Sequence, residues 1–334
     1  MSKPRVAING FGRIGRIAFR ANLASNLLDI VAINDPGDLE QHLVLLKYDS
    51  CYGVLDAEIL IKNGNLVVNG KEIKYTQIRN PEELPWAEQK IDLVLECTGV
   101  FTDKAGAGKH ITAGAKRVLI SAPSKDADVT LCMGINQETF DPAKHTVISN
   151  ASCTTNCLAP LVKVLNEEFG IVKGFMTTIH SYTGDQRLND ATHDKDVRRA
   201  RAANLSMIPT STGAAKAIGE VIPEVEGKLD GVAIRVPTPV VSLTDLVVEV
   251  SRETSAEEVN AAFVRAAAGS LKGILQISNE PLVSVDFKGN NHSSILDAEL
   301  TNVKGNMVKL MSWYDNEWGY SVRLVEMAKM IGEK

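Results

Sequence analysis

The first 35 residues narrow the fold more than any other stretch of this 334-residue chain. Arg5 to Asn9 reads as a short buried strand. Gly10-Phe11-Gly12-Arg13-Ile14-Gly15 follows at once, and a helical stretch then runs through Ala24. This is G-x-G-x-x-G in the context that gives it meaning: strand, glycine turn, helix. Gly10 permits the tight turn, Gly12 lets a pyrophosphate approach the backbone, and Gly15 lets helix and strand pack closely. The phosphates then sit on the positive end of the helix. A second strand, Ile30 to Asn34, ends in Asp35, 20 residues beyond Gly15. An acid there hydrogen-bonds the adenosine ribose hydroxyls. It also disfavours a 2′-phosphate: a carboxylate about 4 Å away costs roughly 4 kcal/mol per charge pair at an effective dielectric near 20. The sign favours NAD.

Further strands at Leu66–Val68, Asp92–Cys97, Arg117–Ser121 and Thr146–Ser149 alternate with helix or loop. They predict an α/β fold with a Rossmann-type doubly wound parallel sheet. Two of them end in small-residue turns at the sheet's carboxyl edge, which makes Thr98 and Ser121 candidate cofactor contacts. The chain is long enough for two domains. We expect a dinucleotide-binding domain of residues 1–150 with 317–334, and a catalytic domain of 151–316.

Asn150-Ala-Ser-Cys-Thr-Thr-Asn-Cys157 carries the chemistry. Leu158, Leu161, Val162, Leu165 and Phe169 recur at helical spacing, which puts Cys153 at a helix N-terminus. Backbone N–H groups there lower a thiol pKa and prepare a nucleophile. The small hydroxyl and amide neighbours argue against a buried structural thiol, whereas Cys157, four residues on, reads as helix packing. Five cysteines with no signal peptide suggest reduced thiols in the cytoplasm. Histidine and cysteine cluster nowhere at metal-ligand spacing. A net charge of -5 gives no dedicated nucleic-acid face, and no apolar run reaches membrane-spanning length.

Gly174 to His180 reads as a strand with His180 at its end. The polar stretch Ser181–Pro209 that follows has no clear periodicity before Val197, and such loops are usually functional. Arg198-Arg-Ala-Arg201 is a basic cluster in which Arg198 and Arg201 read as solvated or salt-bridged. Ser211-Thr-Gly-Ala-Ala-Lys216 opens another helix with hydroxyls and a glycine, a natural anion seat. Arg235 interrupts the strand Val232–Val236 and calls for an anionic partner. Ser312 to Tyr320 ends a strand and starts the last helix, either closing over a cofactor ring or forming a capped, tryptophan-packed helix start. A thiol, an imidazole, a nicotinamide site and anion seats together suggest an aldehyde dehydrogenase for a phosphorylated substrate.

On these motifs the chain resembles the phosphorylating glyceraldehyde-3-phosphate dehydrogenases over essentially its whole length. The matching blocks are Asn9–Gly15, Lys47-Tyr-Asp-Ser50, Ser121-Ala-Pro123, Asn150–Cys157, Thr210–Lys216, Arg235-Val-Pro-Thr-Pro239 and Ser312–Glu317. The resemblance implies that Cys153 attacks the aldehyde of glyceraldehyde 3-phosphate with help from His180. It implies a thioester after hydride transfer to NAD, and attack by inorganic phosphate to give 1,3-bisphosphoglycerate. It assigns Thr183 and Arg235 to the substrate phosphate, and Ser152, Thr154, Thr212 and Gly213 to the inorganic phosphate. Arg199 reaches between these seats. Arg13, Ile14, Asp35, Arg79, Ser121 and Asn316 match cofactor contacts. The second domain is then α+β with a mixed sheet, in a homotetramer whose Ser181–Pro209 loop packs at a subunit interface.

Two departures stand out. Ala191-Thr192 replaces the Leu-Pro pair of strictly NAD-dependent members, with the loop one residue longer near Asp194, so NADP as a second coenzyme is a live expectation. Gly184 replaces a common Asn, with little consequence expected. Rival readings are an erythrose-4-phosphate dehydrogenase, disfavoured by the intact phosphate set, and a Cys–His hydrolase, which needs no glycine motif. A regulatory NAD- or RNA-binding protein is a third, set behind by the presence of both Cys153 and His180.

Overall fold

A computed structural model describes residues 3–334, which divide into two compact units. The first comprises the chain up to Cys132 with Gln137–Ala151 and Ser321–Lys334. The second comprises Met133–Asn136 and Ser152–Tyr320.

The first unit is built on a nine-stranded sheet. Seven strands run parallel in the spatial order Val129–Thr130, Val147–Ser149, Arg117–Ile120, Leu93–Glu96, Arg5–Asn9, Asp29–Asn34 and Lys71–Thr76. The sheet continues antiparallel through Asn65–Val68 and Ile59–Lys62. The strand expected around Leu66–Val68 is thus the middle of a three-stranded meander, whose flanking strands the pattern did not reveal. Val94, Val118, Ile120 and Val147 form the core with Ala107 and Trp86, all at or near zero exposure. Continuous apolar runs of this kind are what a parallel sheet requires.

The helix Arg13–Ser25 follows the first strand. A Cβ on Gly15 would lie 2.1 Å from the Gly10 carbonyl oxygen, so only glycine lets helix and turn meet. Gly10 sits at φ 90, and a Cβ there would come within 2.6 Å of the Thr98 nitrogen. The glycine turn and the Thr98 turn are therefore in direct contact.

The second unit carries an eight-stranded mixed sheet. Its centre is the long strand Ile171–Ser181, parallel to Leu229–Val236 on one side and antiparallel to Ser242–Val250 on the other. Met307–Tyr314 pairs next, again antiparallel. Along these strands burial alternates with period two: Met176, Thr178 and His180 are buried, whereas Phe175 is 74% exposed. The buried face lies against the helix Cys153–Phe169, whose own buried stripe contains Cys157, Leu158, Leu161, Val162 and Leu165.

Candidate active site

Cys153 is the first residue of its helix. Ser152 is the N-cap, with its Oγ accepting from the Thr155 N–H at 2.9 Å and lying 2.7 Å from the Thr155 hydroxyl. Ala151, one residue earlier, has φ 55, a left-handed conformation that a non-glycine residue adopts at some cost. The cap turns the helix N-terminus onto the thiol: the amides of Cys153 and Thr154 both favour its ionised form.

His180 comes from the sheet. Its Nε2 lies 3.5 Å from Cys153 Sγ, and its Nδ1 lies 2.7 Å from the Ser181 carbonyl oxygen. A carbonyl only accepts, so Nδ1 carries the proton and Nε2 is the basic nitrogen facing sulfur. The carbonyl is itself held. The Ser181 N–H donates to Ser242 Oγ, and its hydroxyl donates to the carbonyl of Val241, a β-branched residue at φ 72. Tyr314 packs its ring edge-on to the imidazole at 6.0 Å, and its hydroxyl lies 2.9 Å from that of Thr154 and 2.8 Å from that of Thr178. The sequence singled out the segment around Tyr314 but not this role beneath the dyad. The sequence shows only an aromatic at a strand end; its register with Ser242 emerges in the folded sheet.

The electrostatics modify one expectation. Burial pushes the Cys153 thiol above its ordinary range and outweighs Arg235 and the helix amides, which pull it down. Burial and the nearby Arg235 also push His180 down, to about 3. The helix N-terminus alone therefore does not ionise the thiol. A lone thiolate and a lone imidazolium are both disfavoured by burial, and opposite charges on the two would stabilise each other.

Beside the dyad, Arg235 is mostly buried and donates from Nη1 to Thr183 Oγ1 (2.9 Å) and to the Ser181 carbonyl (3.1 Å). Its Nε is buried with no partner among the described residues, a donor an anion would satisfy. The Thr183 hydroxyl donates in a short hydrogen bond to Asp185 Oδ1, and Arg199 Nη1 reaches Asp185 Oδ2 at 2.8 Å. Arg199 also donates to Thr210 Oγ1 at 3.0 Å. Arg201, by contrast, pairs with Asp190 on the surface. Thr212 and Gly213 stand at the start of the helix Ala214–Val221, with Thr212 Oγ1 accepting from the Ala214 N–H at 3.2 Å. A Cβ on Gly213 would meet nothing within 4 Å. Thr154 is buried with its hydroxyl on Tyr314, so what it offers an anion is its backbone N–H. Asn316 is buried with its oxygen taken by Ser242. Asp315 accepts from the N–H groups of Glu317 and Trp318 at the start of the last helix, so the segment contains the capped helix start that the sequence offered as one of two readings.

In the first unit Asp35 is fixed before any ligand arrives. It accepts from the Phe11 N–H and the Gly37 N–H, each at 2.7 Å, and lies 3.1 Å from His42 Nε2. Burial raises its pKa, but these three partners outweigh that and bring it down to about 2. Gly12 N-caps its helix without a side-chain bond, and a Cβ there would meet nothing within 4 Å. An uncapped helix start with open space at the glycine fits a pyrophosphate. Arg13 pairs with Asp49 at 2.5 Å, tying the helix start to the Lys47–Ser50 block, and Ile14 is half-buried beside it. Arg79 is exposed. Ser121 ends its strand, half-buried, and hydrogen-bonds the Cys97 thiol, whose pKa burial pushes up to about 12. Thr98 is clamped to Glu96, a buried pairing invisible to sequence reasoning.

Two family models match the chain: the NAD binding domain of glyceraldehyde 3-phosphate dehydrogenase over residues 4–104, and the C-terminal domain over 152–316. This chain belongs to the glyceraldehyde-3-phosphate dehydrogenase family. Among its relatives, the Geobacillus stearothermophilus enzyme is 58% identical over 99% of this chain and 98% of its own length. A Nostoc glyceraldehyde-3-phosphate dehydrogenase 2 is 58% identical over 99% of both chains. The chloroplastic A enzyme of Chlamydomonas reinhardtii is 57% identical over 99% of this chain and 90% of its own. As in its family, this dehydrogenase has an NAD-binding Rossmann domain followed by a catalytic domain. No helix among the described residues is long and apolar enough to cross a membrane, and no described cluster of His, Cys, Asp and Glu could hold a metal ion.

Proposed function

We propose that the chain oxidises D-glyceraldehyde 3-phosphate to 1,3-bisphosphoglycerate, with Cys153 as nucleophile and His180 as its acid–base partner. The observation that carries this is Sγ held 3.5 Å from an imidazole Nε2, beside Arg235, whose guanidinium donates to Thr183 and keeps a buried Nε without a partner among the described residues.

The Cys153 proton passes to His180 Nε2 as Sγ adds to the aldehyde carbon. The imidazolium then protonates the new alkoxide, giving a hemithioacetal. The Cys153 N–H at the helix N-terminus is placed to stabilise that oxyanion. His180 next removes the hydroxyl proton as the thioester carbonyl forms. Bound NAD would supply the hydride acceptor for that step. The Gly10–Gly15 turn, Arg13, Ile14 and Asp35 would hold it, with Arg79, Thr98, Ser121 and Asn316 as further contacts. Inorganic phosphate, seated by Ser152, Thr154, Thr212, Gly213 and Arg199, attacks the thioester carbon. The C–S bond breaks and the thiolate of Cys153 returns. Asp35 stays ionised throughout the working pH range, which supports NAD as the main coenzyme, with NADP a weaker second one.

The enzyme works as a homotetramer. Phe175 and Val232 on the open sheet face, and Leu188, Val197, Leu205 and Met207 in the long loop, are 50–80% exposed, more apolar surface than a lone chain keeps. The reading of the five cysteines as reduced thiols supports a cytoplasmic enzyme. The test is reduction of NAD and of NADP with glyceraldehyde 3-phosphate, with and without inorganic phosphate, beside Cys153→Ser. Activity that requires phosphate and Cys153 is expected; turnover indifferent to either refutes the thioester route.

A further inference from the structure

Thr183, Arg199 and Arg235, read above as holders of anions, already serve one anion of the chain itself. The Thr183 hydroxyl donates to Asp185 Oδ1, and Arg199 Nη1 donates to Asp185 Oδ2 at 2.8 Å. Arg235 holds Thr183 from behind at 2.9 Å, and its charge helps keep the Asp185 carboxyl below the usual range. The Thr183-Gly184-Asp185 turn brings this about within three residues. Gly184 leaves the turn open, since a Cβ there would meet nothing within 4 Å.

We propose that Asp185 is an internal counter-ion that competes with the substrate's phosphate for this seat and so sets its affinity and charge selectivity. A hydroxyl has one proton to donate. Thr183 cannot give it to Asp185 and to a phosphate oxygen at once, so binding must break the Thr183–Asp185 bond. Arg199 must likewise share or surrender its ion pair. A carboxylate carries one negative charge and a phosphate monoester nearly two at neutral pH. The exchange therefore favours a dianion, whereas a monoanion gains nothing over the group it displaces. The same competition weakens the hold on an acyl phosphate product, whose carbon-3 phosphate must leave the same seat. Asp185 touches no reacting atom; it acts through Thr183 and Arg199.

This inference rests on the assignment of Thr183 and Arg235 to the substrate phosphate, and the experiment separates the two. Steady-state kinetics of wild type, Asp185→Asn and Asp185→Thr are measured with glyceraldehyde 3-phosphate and with unphosphorylated D-glyceraldehyde, with sulfate as competitive inhibitor. Wild-type turnover of the phosphorylated aldehyde in strong preference to the unphosphorylated one upholds the seat itself; its absence overturns the seat and the inference together. Given that preference, both variants are expected to lower KM for glyceraldehyde 3-phosphate and Ki for sulfate about three- to tenfold. At saturating inorganic phosphate, the ratio of kcat/KM for glyceraldehyde 3-phosphate to that for D-glyceraldehyde, which lacks the phosphate, is expected to rise by a similar factor. A KM for the phosphorylated substrate that is unchanged or higher in both variants makes Asp185 a structural support for the turn and overturns the competition. A fall in kcat/KM for both aldehydes does the same, because it marks damage to the dyad.

Discussion

His180→Gln tests whether Cys153 owes its reactivity to the imidazole or to the helix. At 3.5 Å and an effective dielectric near 20, a thiolate–imidazolium pair attracts by about 4–5 kcal/mol, worth roughly three pK units. Burial works against that gain, since it pushes the thiol above 9.0 and the imidazole down to about 3 when each is charged alone. Removing the imidazole leaves the thiol with Arg235, the Thr154 hydroxyl and the Cys153 and Thr154 amides, which do not overcome burial. At pH 7 the variant should then be about 1% thiolate or less. The assay is the second-order rate of iodoacetamide alkylation between pH 5 and 10, with the site of labelling read by mass spectrometry. Wild type is expected to react at a rate that changes little around neutrality, because proton transfer from Cys153 to His180 within the dyad, unlike loss of the proton to water, does not depend on pH. The variant should lose that plateau and gain tenfold per pH unit up to its own thiol pKa. Superimposable profiles for the two proteins would refute the reasoning, since the thiol would then titrate independently of His180.

Two further substitutions probe the first unit. Asp35→Asn removes a carboxylate whose pKa falls from 3.8 to about 2, equivalent to roughly 2 kcal/mol of linked stability. Because the folded pKa is depressed, that contribution is present above about pH 4 and is lost as pH falls through 2. The variant should therefore show a lower urea midpoint at pH 7 and converge on wild type near pH 2, while its NADP-to-NAD preference in kcat/KM rises at least tenfold. Glu96→Gln disturbs a buried carboxylate that accepts from the Thr98 N–H (2.8 Å), the Thr98 hydroxyl, Asn9 Nδ2 (2.6 Å) and, at 2.9 Å, the His110 ring. Trp86 Nε1 donates to His110 Nδ1 at 2.9 Å, so His110 presents its other N–H to Glu96 and cannot switch tautomer without losing that bond. In its better orientation the glutamine still faces the Thr98 N–H with an NH2 group. One orphaned donor and the loss of charge-assisted bonds should cost about 2–4 kcal/mol, read as a lower urea midpoint at unchanged m.

The features legible in the sequence are those that depend on local spacing. Gly10, Gly12 and Gly15 are constrained by contacts within one turn, Asp35 by a strand that ends on it, and Ser152 and Cys153 by the cap of a single helix. All of these could be named from the chain alone. Features fixed by partners far along the chain could not. The Glu96–His110–Trp86 network joins residues up to 24 apart, and Tyr314 reaches Thr154 across 160 positions. The outer strands of the meander around Asn65–Val68 escaped because both are mostly exposed: Ile59-Leu60-Ile61 is a short apolar run that is not buried, and Lys71–Thr76 is mostly polar. The raised thiol is a third case: the sequence shows the helix N-terminus that lowers a pKa, but burial, which raises it, exists only in the folded unit.

The dyad's geometry is in the end a matter of strand register. His180 pairs with Arg235 and Thr178 with Ala233 in the parallel ladder, while Ser242 pairs with Tyr314 in the antiparallel one. In each ladder paired side chains leave the same face. Arg235, His180, Ser242 and Tyr314 therefore form a row across four strand ends, and the hydrogen bonds to Ser181 and Thr178 brace that row from within. A slip of one residue in the strand Ile171–Ser181 would exchange Met176, Thr178 and His180 with Phe175, Thr177 and Ile179. It would bury Phe175 against the cysteine helix and turn the imidazole away from the thiol. Met176 at 1% exposure and Phe175 at 74% show how strongly burial opposes that slip. The hydrophobic pattern that folds the strand is thus also what aims His180 Nε2 at sulfur.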